Sequence, residues 1–206
     1  MRVKIQNLPV LQQNNNPQCV GMAVHNALVA HGVKEPPSPN LIYQEAQKSD
    51  QWKGEDYDGT SIQAALFSLK GLGVIEVYAR TQYSEEKMKS LLNQGIPLLC
   101  SIRTGDVFHS GEEGGSFGIF EKLESFVGKG NHAILVTGFS EIDNYRFWIL
   151  QNSWGKDWGS LGCCYIEDSV FQKILNQNLY YLPRGEEKEK KLTKKQEKIL
   201  FKKKSI

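Results

Sequence analysis

The hydrophobic pattern of this chain changes period part-way along, and that change limits the fold more than any single motif. From Cys19 to Ala30 the apolar residues Val20, Val24, Ala27 and Leu28 recur about one helical turn apart, with Gly32 as a stop. The run "KEPPSPN" predicts a loop, Asn40–Gln47 a short helix, and Ser61–Leu72 a helix with Thr60 as its N-cap and Gly73 as its end. Beyond that point the runs become short and β-rich: "GVIEVYAR", "IPLLCSI", "HAILVTGF", "YRFWIL", "CCYI" and "NLYYLP". One helix interrupts them, Glu85–Asn93, capped by Ser84 and stopped by Gly95. The first dozen residues read as extended, "SDQWKGEDYDG" as irregular, and Thr104–Gly130 as a long glycine-rich loop. Helices first and strands later predict an α+β fold rather than a doubly wound sheet.

A length of 206 residues suits one domain with a real core, and 40% hydrophobic content argues against general disorder. No apolar run is long enough to span a membrane, and "MRVKIQNLPVLQQ" lacks the features of a signal peptide. The expectation is a protein that is cytoplasmic at synthesis, with virion association or injection into a host as further settings. The net charge of +2 hides a basic tail: residues 186–206 carry nine Lys and four Glu, which leaves residues 1–185 net negative. The core is therefore not a nucleic-acid binder by composition. The tail is expected to be flexible and outside the core, open to docking on an acidic protein surface or on nucleic acid.

The four cysteines, Cys19, Cys100, Cys163 and Cys164, form neither a disulfide framework nor a zinc pattern. No metal or cofactor is expected. Cys100, Cys163 and Cys164 read as reduced, half-buried strand thiols. Cys19 is different. It follows the polar stretch "QQNNNPQ" and opens the first helix. A thiol on the first turn feels unpaired N–H groups and the positive end of the helix dipole, and both favour thiolate, the nucleophilic form.

Two other stretches supply what a nucleophile needs. "GNHAILVTGF" puts His132 at the mouth of an apolar strand, and "FWILQNSWGKDWG" puts Asn152 at a strand end. The Asn152 carbonyl can accept from one ring N–H of His132 and leave the other ring nitrogen to exchange a proton with a thiol. Trp154 can shield that hydrogen bond from water. For the oxyanion, the Cys19 backbone N–H is one donor and a side-chain amide upstream the second. Gln13 can reach back if the loop is tight; Gln12 and Gln18 are rivals that spacing alone does not separate.

These residues, in this order, resemble the papain-like cysteine peptidases. Gln13 with Cys19, His132 in "NHAILVTGF" and Asn152 in "NSWGKDWG" carry the likeness, which extends more weakly through "DGTSIQAALFSLKGLGV". The resemblance covers roughly residues 5–184 and implies a two-lobed fold: a helical lobe at about 12–80, and an antiparallel β-barrel-like lobe at about 81–184 with the N-terminal strand. Within a peptidase domain at 1–185 it implies Cys19 as nucleophile, His132 as acid/base, Asn152 as orienter and Gln13 as oxyanion donor. Gly59, Thr60, Asn131 and Trp154 join them in substrate binding.

The departures matter. Asn16 stands where many members have a cysteine, Val20 where they have tryptophan, and "DGTS" where they have a Gly-Gly pair. With only 18 residues before Cys19, no pro-segment is expected, and the disulfide-poor pattern resembles bacterial or bacteriophage members. His25, His31 and His109 receive structural readings, and Glu112 and Glu113 are expected to be solvated loop charges. Beside the peptidase stand two alternatives: a catalytically silent binding protein of the same fold, and an acyl- or isopeptide-transfer enzyme using the same triad.

Overall fold

In a computed structural model the chain is described at residues 1–14, 16–50, 58–111 and 118–184. The expectations for Glu112, Glu113 and the tail lie outside these residues. The helices come first, as predicted: α1 (Cys19–His31), α2 (Pro39–Ser49) and α3 (Ile62–Gly71). α1 ends where Gly32 turns left-handed at φ +92°, a conformation glycine adopts without steric cost. α2 begins earlier and ends later than expected, because Ser38 caps it and Pro39 supplies a preset φ at its first position. α1 and α2 touch closely at Gly21, where a Cβ would sit 2.2 Å from the Pro39 carbonyl oxygen.

Two local expectations are corrected. α3 is capped by Ser61, whose hydroxyl accepts from Ala64 N, while Thr60 instead donates to Asp50 Oδ2 at 2.6 Å. The predicted strand "GVIEVYAR" shrinks to β2 (Ala79–Thr81). Its first residues are used otherwise: Gly73 and Val74 N–H groups bond to Lys70 and Leu69 carbonyls and close α3.

β1 (Arg2–Lys4) and β2 join β3 (Leu98–Gly105), β4 (Ile119–Phe120), β5 (Gly128–Ile142), β6 (Tyr145–Gln151), β7 (Cys163–Glu167) and β8 (Leu175–Tyr181) in one sheet. Its order is β2-β8-β3-β5-β6-β7-β4, with β1 also on β5, and all pairs are antiparallel except β4 with β7. α4 (Glu85–Asn93) lies where the Ser84 cap predicts it. The long loop is more structured than expected: it holds α5 (Asp106–Ser110), β4 and a 3-10 turn at Leu123–Phe126. α6 (Asp168–Ile174) precedes β8.

The sheet separates two cores by side-chain alternation. On β5, Ala133 and Leu135 face the α1–α3 core with Val24, Leu28 and Leu66, while Ile134 and Val136 join Leu98, Trp148 and Phe171 on the other side. Cys100, Cys163 and Cys164 are fully buried rather than half-buried, and all four thiols are free.

Candidate active site

Three elements deliver three side chains to one place. Cys19 opens α1, His132 lies on β5, and Asn152 follows the end of β6. The N-terminus of α1 has no side-chain cap and no acidic residue in its first turn. Its free N–H groups are thus left for the thiol and for substrate. Backbone N–H groups of Ala133, Val20 and Cys19 itself bear on the sulfur and favour its thiolate, although burial is the larger effect and pushes the thiol up. Ala133 is the neighbour of His132, so the thiol lies against the strand that carries the imidazole.

His132 Nε2 is 2.7 Å from Asn152 Oδ1. Ser153 N–H donates to the same Oδ1 at 2.7 Å. Reversing the amide would set its NH2 against that backbone donor, so Oδ1 is the oxygen and His132 Nε2 carries the hydrogen. In the neutral ring Nδ1 is then the basic nitrogen, free to serve the thiol. Asn152 Nδ2 is buried without a partner among the described residues. That costs about 1–3 kcal/mol and leaves the amide held through its oxygen alone. Burial pushes the His132 imidazole down to about 4, the Asn152 hydrogen bond opposes the fall, and the His109 charge adds to it. Burial thus disfavours either charge alone. Transfer of a proton from thiol to imidazole creates both charges together, where each offsets the other in a low dielectric.

Trp154 covers the pair, its ring 4.6 Å from that of His132. It is braced from behind by Phe108 and Trp158 at 5.5 and 5.1 Å. Against expectation, His109 is not a bystander: its ring lies 4.5 Å from Trp154 and lines the same cleft. The sequence hides this because α5, which carries it, is five residues long and has no readable period. His25 and His31 keep structural places, His25 Nδ1 bonding to Pro37 O and His31 lying in the last turn of α1.

The three glutamines separate. Gln18 Nε2 donates to Asn40 Oδ1, Gln12 packs its side chain against Gly155, and only Gln13 of the three lines the cleft. Gln13 Nε2 donates one hydrogen to Asn16 O at 3.0 Å, and its second remains for a substrate oxygen. Gly59, Thr60, Asn131 and Trp154 also line this cleft of about 1160 Å³. The Thr60 hydroxyl is committed to Asp50, so the Thr60 side chain has no free donor to offer. Cys163 pairs in register with Gln151, next to Asn152, but its sulfur bonds to Gln151 Oε1 and receives Lys4 Nζ, away from the cleft wall. Among the described residues no cluster of metal-ligating side chains occurs.

The profile described as papain family cysteine protease matches residues 14–182. The chain belongs to the papain family of cysteine proteases. A viral cathepsin of Epiphyas postvittana nucleopolyhedrovirus is 34% identical over 87 residues, 42% of this chain and 24% of that protein. A viral cathepsin of Antheraea pernyi nuclear polyhedrosis virus is 31% identical over 109 residues, 53% of this chain and 31% of that protein. This papain-family chain therefore spans under a third of the length of those viral relatives. Human cathepsin O is 42% identical over 40 residues, 19% of this chain and 12% of that protein. The fold agrees with bromelain from Ananas comosus, solved with the E64 inhibitor, at TM-score 0.66 and 18% identity, covering 89% of this chain and 99% of that one. These relatives are viral, animal and plant proteins, and they lend no support to a bacterial or bacteriophage origin.

Proposed function

We propose that this chain is a peptidase that cleaves peptide bonds through a thioester on Cys19. The observation that carries the reading is the 2.7 Å bond from His132 Nε2 to Asn152 Oδ1, which leaves Nδ1 as base in the cleft that Cys19 lines. In this mechanism the thiol proton moves to His132 Nδ1 as sulfur attacks the substrate carbonyl carbon. The oxyanion is held by Cys19 N–H and Gln13 Nε2. The C–N bond then breaks, and the imidazolium gives its proton to the leaving amine. Water, deprotonated by His132, attacks the thioester, releases the acid and restores the thiol. Asn152 keeps the ring in the productive tautomer throughout.

The domain reading that supports this cleft has a helical lobe at about 12–80 and a β lobe at about 81–184 with the N-terminal strand. The peptide or protein substrate lies between them. The four free thiols support a cytoplasmic site of synthesis. The bacterial or bacteriophage-type assignment rests on the disulfide-poor pattern, of which Asn16 in place of the usual cysteine is part. The basic tail is proposed to dock the protein on an assembly partner.

The test is incubation of the full chain and of Cys19→Ala with a peptide library, with mass analysis of products. Cleavage by the former and none by the latter supports the reading, provided both proteins melt at the same temperature. Equal cleavage by both removes Cys19 from the mechanism. Adding an amine nucleophile separates hydrolysis from acyl transfer, which share the thioester.

A further inference from the structure

The face of the sheet turned toward the helices changes character along its strands. Under the helices it is apolar, with Leu99, Leu135 and Leu182 in the core. Where the cleft opens, the same alternation brings up Ser101 on β3, Asn131 on β5, and Asn176, Asn178 and Tyr180 on β8, all on the cleft wall. Three consecutive positions on one face of β8 are thus polar beside the candidate nucleophile.

This wall is partly pre-organised. Asn176 Nδ2 donates to Asn131 Oδ1 at 2.8 Å and to Ser101 Oγ at 3.2 Å. From the helical side, Gln63 on α3 accepts the Tyr180 hydroxyl at 3.3 Å and closes the floor. These bonds consume one side of each amide and leave the other. Asn131 Nδ2, Asn176 Oδ1, Gln63 Nε2 and the whole Asn178 carboxamide make no hydrogen bond among the described residues and border the cleft. Both donors and acceptors are therefore left open on the wall. Among the described residues of the cleft wall none is Asp, Glu, Lys or Arg.

We infer that this wall selects substrates by an uncharged, hydrogen-bonding side chain, a carboxamide above all, next to the scissile bond. The inference rests on the peptidase reading and names its substrate class. A carboxamide can both accept from Asn131 or Gln63 and donate to Asn176 or Asn178. An ammonium would be partly desolvated with no carboxylate among the described wall residues, and a carboxylate would find only Arg80, whose guanidinium already donates to the Tyr180 hydroxyl. An aliphatic side chain would strip water from four amide groups and return no bond, and a site built to hydrogen-bond rejects such an analogue.

The experiment uses peptides varied within two residues on either side of the scissile bond, with Gln, Glu, Lys and Leu compared in one frame. For the unaltered chain, kcat/KM should be highest for Gln, by roughly 10-fold over each of the others. In Asn176→Leu/Asn178→Leu the preference should shift to Leu, with thiol labelling of Cys19 retained. A best substrate with Leu, Glu or Lys at every position overturns the inference while leaving the peptidase reading intact. If no peptide is cleaved, the peptidase reading fails, and affinities of the same peptides for Cys19→Ala by calorimetry still decide the wall. Tightest binding of Gln supports the selection, and equal or tighter binding of Leu, Glu or Lys refutes it.

Discussion

The hydroxyl of Ser153 donates to Gln13 Oε1 at 2.6 Å, tying the segment before the thiol to the residue after Asn152. Gln13 N–H answers by donating to the Ser153 carbonyl at 2.8 Å. The amide that would hold the oxyanion is thereby set in register with the residue that orients the imidazole. Gln13→Ala should lower kcat by an amount corresponding to roughly 3 kcal/mol, with little change in KM. Ser153→Ala should cost less, about 1 kcal/mol, in the same parameter, because it loosens the donor without removing it. Steady-state kinetics on one peptide decide this, and a Gln13→Ala enzyme with normal kcat excludes the assignment.

Asn152→Ala should slow turnover while Cys19 still reacts with a small alkylating reagent. The base remains but loses its tautomeric restraint, and the buried Nδ2 that found no partner is removed with it. Stability should therefore fall by less than the loss of a fully bonded buried amide implies. Thermal melts and alkylation rates measured together check both halves. Loss of alkylation with an intact fold contradicts the orienting role.

The imidazole of His132 in the folded chain lies near 4, below its ordinary 6.5. As pH falls the unfolded chain takes up this proton first, so the group contributes stability that is present at neutral pH and is lost between about 6.5 and 4. The loss amounts to roughly 3 kcal/mol, with none further from this group below that window. Urea unfolding across this range in a Cys19→Ala background, with and without His132→Gln, isolates it. An identical pH slope in the two proteins refutes the shift.

Only one thiol should react quickly in the native protein. Cys100, Cys163 and Cys164 are at most 2% exposed, and burial drives the Cys100 and Cys164 thiols up; burial raises Cys19 too, but backbone N–H groups oppose the rise there and the thiol is partly exposed on the cleft. A colourimetric thiol reagent should therefore titrate Cys19 at once and the other three after unfolding. Intact mass should not change with reductant. A bridged native protein overturns both this and the cytoplasmic assignment.

Deleting residues 186–206 should leave peptide cleavage unchanged, since every described residue that lines the cleft precedes them. If the tail docks the protein on a partner, the deletion should release it from that partner at low salt. A truncated chain that unfolds places the tail within the core.

Local chemistry in the sequence determined the four longer helices, α1 to α4, and the identity of the reacting groups. Ser84 and Gly32 delimit their helices through bonds within a few residues, and Cys19 opens α1 and Asn152 follows β6 where the hydrophobic period marks their ends, whereas His132 lies inside β5 rather than at its mouth. Tertiary contact decided the rest. "GVIEVYAR" has strand composition, yet only Ala79–Thr81 finds a partner in β8, because a strand exists only where another supplies its bonds. Thr60 and Ser61 are equivalent caps by residue type, and the choice fell to Ser61 once Asp50 took the Thr60 hydroxyl. Gln13 parts from Gln12 and Gln18 through Ser153, which is 140 residues away. His109 and the amide wall stayed hidden for the same reason. Their neighbours come from distant strands, and no pattern along the chain encodes a distance across a sheet.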